Sequence, residues 1–144
     1  MRMRHITVRY QVQAIAVLAM SILAAGCGPM AIPDRDPVGD AFPAVSGESL
    51  AGLKIELPNH FLGQEALYLV GFVQQTQFDI DRWTIGLIDA QVAAKIVEIP
   101  AIPGLVPTAI SGWIDDGMRS GIPEEDWPAV ITLYGSDAHE VAKL

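Results

Sequence analysis

The chain has 144 residues, 51% of them hydrophobic and 18% charged, which is enough for one domain and too few for two. Nine basic residues stand against 17 acidic ones, a formal charge of −8 that excludes an electrostatic footprint for nucleic acid, and the hydrophobic share excludes a disordered acidic tail. A single cysteine excludes a disulfide framework, a cysteine-rich zinc site and a two-cysteine redox cycle.

In chain order, Arg2, Arg4 and Arg9 come first, followed by an apolar run from Ala14 to Ala25 broken only by Ser21. That order is the one of a secretory signal peptide. A transmembrane span fits less well. It needs about 20 apolar residues, and Gln11 and Gln13 interrupt the stretch. The only cysteine closes the run, in Leu23-Ala24-Ala25-Gly26-Cys27. This stretch resembles the lipobox of bacterial lipoproteins, with Ala24 at the place where a branched aliphatic residue is commonest. The resemblance implies cleavage before Cys27, a diacylglycerol on its thiol and an acyl chain on its new amine. Several acyl chains together give stable anchoring. Gly28 after the cysteine, rather than Asp, implies the periplasmic side of the outer membrane more than the inner membrane. The expected layout is a signal peptide over 1–26, a lipidated Cys27 with a tether over 27–44, and a domain over 45–144. Four prolines between Gly28 and Ala44 keep the tether out of helix. Loss of the three leading arginines leaves six basic residues against 17 acidic ones.

Leu53–Leu57 alternates apolar and charged residues, a half-buried strand closed by Pro58-Asn59. Ala66–Val73 is a continuous apolar run that suits a central strand buried on both faces. From Phe78 to about Ala94, Ile80, Trp83, Leu87, Ile88 and Val92 recur at helical spacing, with Thr76 as N-cap. Lys95–Ile99 reads as a second strand stopped by Pro100. A second helix runs from Pro107 to about Ser120, with Ile110, Trp113, Ile114 and Met118 as its apolar stripe and Gly121 past its end. Ala129–Tyr134 reads as a third strand, and Ser136 or Asp137 caps a last helix, with Asp137 and Glu140 in capping-box spacing. Strands alternating with helices predict an α/β sandwich with a largely parallel sheet.

Three stretches carry a resemblance to a known fold. Leu50–Pro58 is similar to an opening hairpin, and Val70-Gly71-Phe72 with Trp83 to a first core strand and its helix. Met118–Pro123 followed by Ala129–Ser136 resembles the core of the mitochondrial ATP synthase assembly factor family, a cysteine-poor relative of thioredoxin. The resemblance covers about residues 42–144 and implies a thioredoxin-like three-layer sandwich of the peroxiredoxin type. It departs from those families twice. Gln74-Gln75-Thr76-Gln77-Phe78 stands where they carry their cysteines, and neither Gln nor Thr replaces a thiolate nucleophile. The family's C-terminal hairpin would follow Leu144, so the sequence predicts a truncated domain with an open sheet edge and a wet Trp113.

Candidate site residues are few. Asp79, Asp81 and Arg82 open the first helix beside the lost cysteine position, and Gln74, Gln75 and Gln77 precede them. Acids there are also favoured by the helix dipole. Asp115, Asp116 and Arg119 are expected on the outward face of the second helix, opposite Trp113, with Asp115 and Arg119 spaced for a surface ion pair. Glu124-Glu125-Asp126 form an acidic turn without the alternation of a calcium loop. Beyond the leader only His60 and His139 remain, so no zinc set is offered, and no Gly-x-Ser-x-Gly elbow exists. Trp83, Trp113 and Trp127 are expected in core and rim packing. The leading functional expectation is a lipid-anchored module of the bacterial envelope that binds another envelope protein through Gln75, Asp79, Arg82, Asp116 and Arg119, without cofactor, metal or catalytic residue. The alternative is an envelope hydrolase using carboxylates among Asp79, Asp81, Asp115 and Asp116.

Overall fold

The computed structural model describes residues 36–144. The expected signal peptide, Cys27 and the first part of the expected tether lie outside the described residues. Within them, β1 (Val45–Ser49) and β2 (Lys54–Leu57) form a hairpin, with Val45 opposite Leu57 and Glu48 opposite Lys54. β3 (Ala66–Gly71) leads through a 3-10 turn into α1 (Gln77–Asp89). β4 (Lys95–Ile102), α2 (Thr108–Arg119), a 3-10 turn over Glu124–Ala129, β5 (Ile131–Tyr134) and α3 (Gly135–Val141) follow. The sheet order is β2-β1-β5-β4-β3, with β1 antiparallel to both neighbours and the last three strands mutually parallel. This is a mixed α/β sandwich compatible with a thioredoxin-like fold.

Alternation along β4 builds the core. Val97, Ile99 and Ala101 are fully buried on one face, level with Ile131 and Leu133 of β5. Val45, Ile55, Leu57 and Phe61 extend this layer, and Ala138 and Val141 of α3 close it. Such burial contributes about 25 cal/mol per Å² of apolar surface, the main favourable term of folding. β1 must cross β5 closely. A Cβ at Gly47 would lie 2.7 Å from the Thr132 carbonyl oxygen and 2.8 Å from the Ile131 and Leu133 side chains, so only glycine fits there. The opposite face of the sheet carries Glu98 and Tyr134, and α1 and α2 lie on it, as two successive crossovers in one direction require.

Several expectations are corrected. β3 is an edge strand rather than a central one, and all six of its residues are half-buried. Its two faces are apolar because the core packs on one and α1 on the other, while one backbone edge has no neighbour among the described strands. β1 had no strand signal, since Val-Ser-Gly-Glu-Ser is polar. Pairing with β2 and β5 overrides that propensity. β4 runs through Pro100 to Ile102, because Pro100 sits where the β3 ladder ends at Gly71 and a missing N–H is tolerated. α1 stops at Asp89, five residues early, and Gln91 follows with a positive φ of 53°. α3 begins at Gly135, and Asp137 serves elsewhere: its carboxylate accepts the backbone N–H of Ser46 at 2.9 Å, tying α3 to β1.

Candidate functional site

The residues singled out in the sequence lie on α1 and α2. At the entry to α1, the Thr76 hydroxyl donates to the Val73 carbonyl at 2.6 Å, so it closes the 3-10 turn instead of capping the helix. Gln75 is exposed on that turn. Gln77 Nε2 donates to Asp81 at 3.0 Å, and Arg82 Nη1 meets Asp79 at 3.5 Å with both side chains largely in solvent. On α2, Arg119 Nη1 pairs with Asp116 at 2.8 Å. Gln75, Asp79 and Arg82 therefore form one local group and Asp116 with Arg119 another, each ion pair closed within its own helix.

The face of α2 is turned from the expected one. Arg119 is not a surface partner of Asp115. Its side chain is 26% exposed, and its Nε donates to the Leu50 carbonyl at 2.8 Å, beyond β5 in the hairpin turn. Its guanidinium also lies 5.9 Å from the Trp127 ring. The Tyr134 hydroxyl donates to Asp115 at 2.7 Å and lies 3.3 Å from the Ser111 carbonyl. Burial, then the hydrogen bond to Asp115, push the Tyr134 hydroxyl far above its usual range. Two polar demands of the sheet, an acceptor for Tyr134 and a donor for Leu50, thus take the helix face that hydrophobicity alone would give to Trp113. Trp113 is 76% exposed and Ile110 is exposed with it. On α1, Ile80 is buried, but Trp83 is 64% and Phe78 72% exposed, and Ile85 and Ile88 are exposed too. Trp127 alone of the three tryptophans described fits rim packing, donating its Nε1–H to the Ile122 carbonyl at 3.0 Å.

Near Gln77 and Asp81 of α1, on the sheet, is a residue that the sequence reading passed over. Glu98 is the one acid in the middle of β4, and its Oε1 is buried without a hydrogen-bond partner. Burial pushes its carboxyl above the ordinary carboxylate range. A hydrogen bond from Gln77 opposes the rise, and the charge of Asp81 adds to it. Its signal in the sequence was a lone Glu in an otherwise apolar strand, Ile96-Val97-Glu98-Ile99.

The four carboxylates of the hydrolase alternative are each engaged. Asp79 meets Arg82, Asp81 accepts from Gln77, Asp115 from Tyr134 and Asp116 from Arg119. Among the described residues, no group of three or more His, Cys, Asp or Glu is arranged to hold a metal ion, and no helix is long and apolar enough to cross a membrane. No family model matches the sequence, and neither the curated proteins nor the solved structures contain a significant match.

Proposed function

We propose that the chain is an exported, lipid-anchored envelope protein whose α/β domain acts as a redox-inactive binding or assembly module for another protein. The anchor rests on the order of arginines, apolar run and Leu23-Ala24-Ala25-Gly26-Cys27. The observation that carries the module is the exposed apolar surface of α1 and α2, where Phe78, Trp83, Ile85, Ile88, Ile110 and Trp113 meet solvent. Large contiguous apolar exposure marks interaction sites in soluble domains. The sole thiol of the chain is the one destined for lipid, so thiol chemistry has no place in the domain.

Fatty-acid labelling of cells producing the wild type and Cys27→Ala tests the anchor. Label in the wild type alone supports it, and equal or absent label in both removes it. Affinity purification from envelopes tests the module. A single stoichiometric protein partner, retained when Asp79, Asp81, Asp115 and Asp116 are replaced by Ala, supports it. A hydrolytic activity lost in that quadruple variant would replace the module with the enzyme reading.

A further inference from the structure

The hydrogen bonds of β3 show which of its backbone groups are free. The Lys95 N–H donates to the Glu65 carbonyl at 2.8 Å, and Ala66 stands level with Lys95 in the parallel pairing of β3 with β4. Along a strand beside a parallel neighbour, each residue turns its N–H and C=O to one side, and the next residue turns them to the other. Glu65, Leu67 and Leu69 therefore bond toward β4. Ala66, Tyr68 and Val70 turn their groups outward, where no strand among the described residues meets them. Both sides of this edge are apolar. On the core side stand Tyr68 and, with its ring 4.7 Å away, Phe42. On the other side α1 sets Ile80 so close to Gly71 that an added Cβ would lie 3.0 Å from Ile80 Cδ1, and its Gln77 and Asp81 lie toward Glu98 of β4. At about 100° per residue, Trp83 falls on the opposite flank of α1 from Gln77 and Asp81. It therefore stands above the outer edge of β3, 64% exposed. β3 itself carries no charge and no proline.

We infer that this edge takes an extended, cationic segment of a partner protein as a further strand of the sheet. The inference rests on the module reading above and names its site and the form of its partner. The unmet backbone groups decide that form. Three N–H and three C=O groups at strand spacing are matched in register only by another extended main chain, with affinity from its hydrogen bonds and specificity from its alternate side chains. Trp83 on one side, and Tyr68 with Phe42 on the other, select apolar side chains on both faces of the segment. Charge selects among the extended chains that could bind. Close to β3 the charges balance, since Arg82 pairs with Asp79 and Lys95 stands level with Ala66, next to Glu65. Over the whole chain, acids outnumber bases 17 to nine. A second copy brings the same negative charge and is repelled at neutral pH, whereas a strand flanked by lysines or arginines is drawn in by the same field.

The test adds peptide to the full chain as cells process it, in the presence of zwitterionic lipid nanodiscs, so that it proceeds with the chain anchored or free. The probe is a valine-rich peptide of about eight residues with a lysine at each end, long enough to span β3. One control carries glutamates in place of the lysines, and a second has all its core amides N-methylated. Amide exchange followed by NMR reads the edge residue by residue. Without peptide, the Ala66, Tyr68 and Val70 amides are expected to exchange fast, while those of Leu67 and Leu69 are protected by β4. Lysine peptide at about ten times its dissociation constant should slow the first three about elevenfold, since only the free fraction exchanges. It should leave the other two unchanged. The N-methylated peptide should have no effect, and the glutamate peptide should bind about tenfold more weakly at low ionic strength. Trp83→Ala should weaken the lysine peptide several-fold, whereas Trp113→Ala, also exposed but on α2, should not. Equal binding by either control, or three edge amides that ignore the lysine peptide, overturns the inference. So does protection of Ala66, Tyr68 and Val70 before peptide is added. Protection that grows with protein concentration would make a second copy the occupant, and protection independent of it another segment of this chain. If a specific envelope protein still co-purifies while the edge fails these tests, the edge falls and the module stands.

Discussion

Glu98 shows how one side chain can be costly and informative together. Its Oε1 is buried without a partner, and burial raises its pKa above the ordinary value of 4.5. The folded state then binds the proton more tightly than the unfolded state. The stabilisation tied to that proton is complete below the ordinary value and is lost as pH rises through the raised folded one. Glu98→Gln should therefore raise the urea midpoint at neutral pH, by about 1 kcal/mol or less since the group is only partly withdrawn from water. It should also flatten the dependence of stability on pH above 4.5. An unchanged slope would mean that another carboxylate controls it. Arg119 and Arg82 allow a second test, since both pair at i,i+3 on a helix. Arg119→Ala also strips the Leu50 carbonyl of its donor and should cost about 1.5–3 kcal/mol, the range for hydrogen bonds to charged groups. Arg82→Ala breaks only an exposed pair and should stay within about 0.5 kcal/mol. Both follow from chemical denaturation. The sequence marked both arginines as equivalent surface bases. It could not separate them, because the Leu50 carbonyl that Arg119 reaches lies 69 positions away.

At the level of elements, the strands and helices with strong periodicity were legible, and the failures have physical causes. β3, β4, α1, α2 and α3 were all placed from hydrophobic spacing and turn residues. β1 was missed because a polar pentapeptide becomes a strand only when two neighbours pair with it. Which face of α2 meets the sheet was misread because spacing counts apolar side chains and ignores what Tyr134 and the Leu50 carbonyl require. That inversion has a measurable consequence. Trp113 belongs to the most apolar stripe of α2 yet contributes little packing, so Trp113→Ala should change stability by no more than about 0.5 kcal/mol. Leu133, fully buried on β5, should cost about 2–5 kcal/mol when cut to Ala. Comparable losses from both would mean that α2 packs its tryptophan after all. Calorimetry on the two variants decides it.

Over the whole molecule, charge and sheet edges act against each other. Acid so outweighs base that copies repel one another at neutral pH, and the sequence isoelectric point is about 4.6. The two edges of the sheet differ. β2 presents Lys54 and Glu56, the charged kind of edge that resists further pairing. β3, Ala66–Gly71, has no charge and no proline along its length, and Leu62 and Val73 near its ends are exposed apolar residues. At neutral pH, long-range repulsion protects that edge. As pH falls toward 4.6 the repulsion fades, while the N–H and C=O groups on the outer edge of β3, which meet no strand among the described residues, persist. Light scattering should therefore show reversible association that sets in as the pH approaches the isoelectric point. Added salt at neutral pH should promote the same association by screening over about 10 Å or less. Val73→Lys places a charge at the end of β3 without touching the core, and should shift the onset to lower pH. Lys at Ser136, exposed on α3 and remote from that edge, adds the same charge, raises the isoelectric point and should move the onset slightly to higher pH. A shift to higher pH in both variants would make net charge the whole cause, whereas a shift to lower pH at Val73 alone locates the association at the β3 edge.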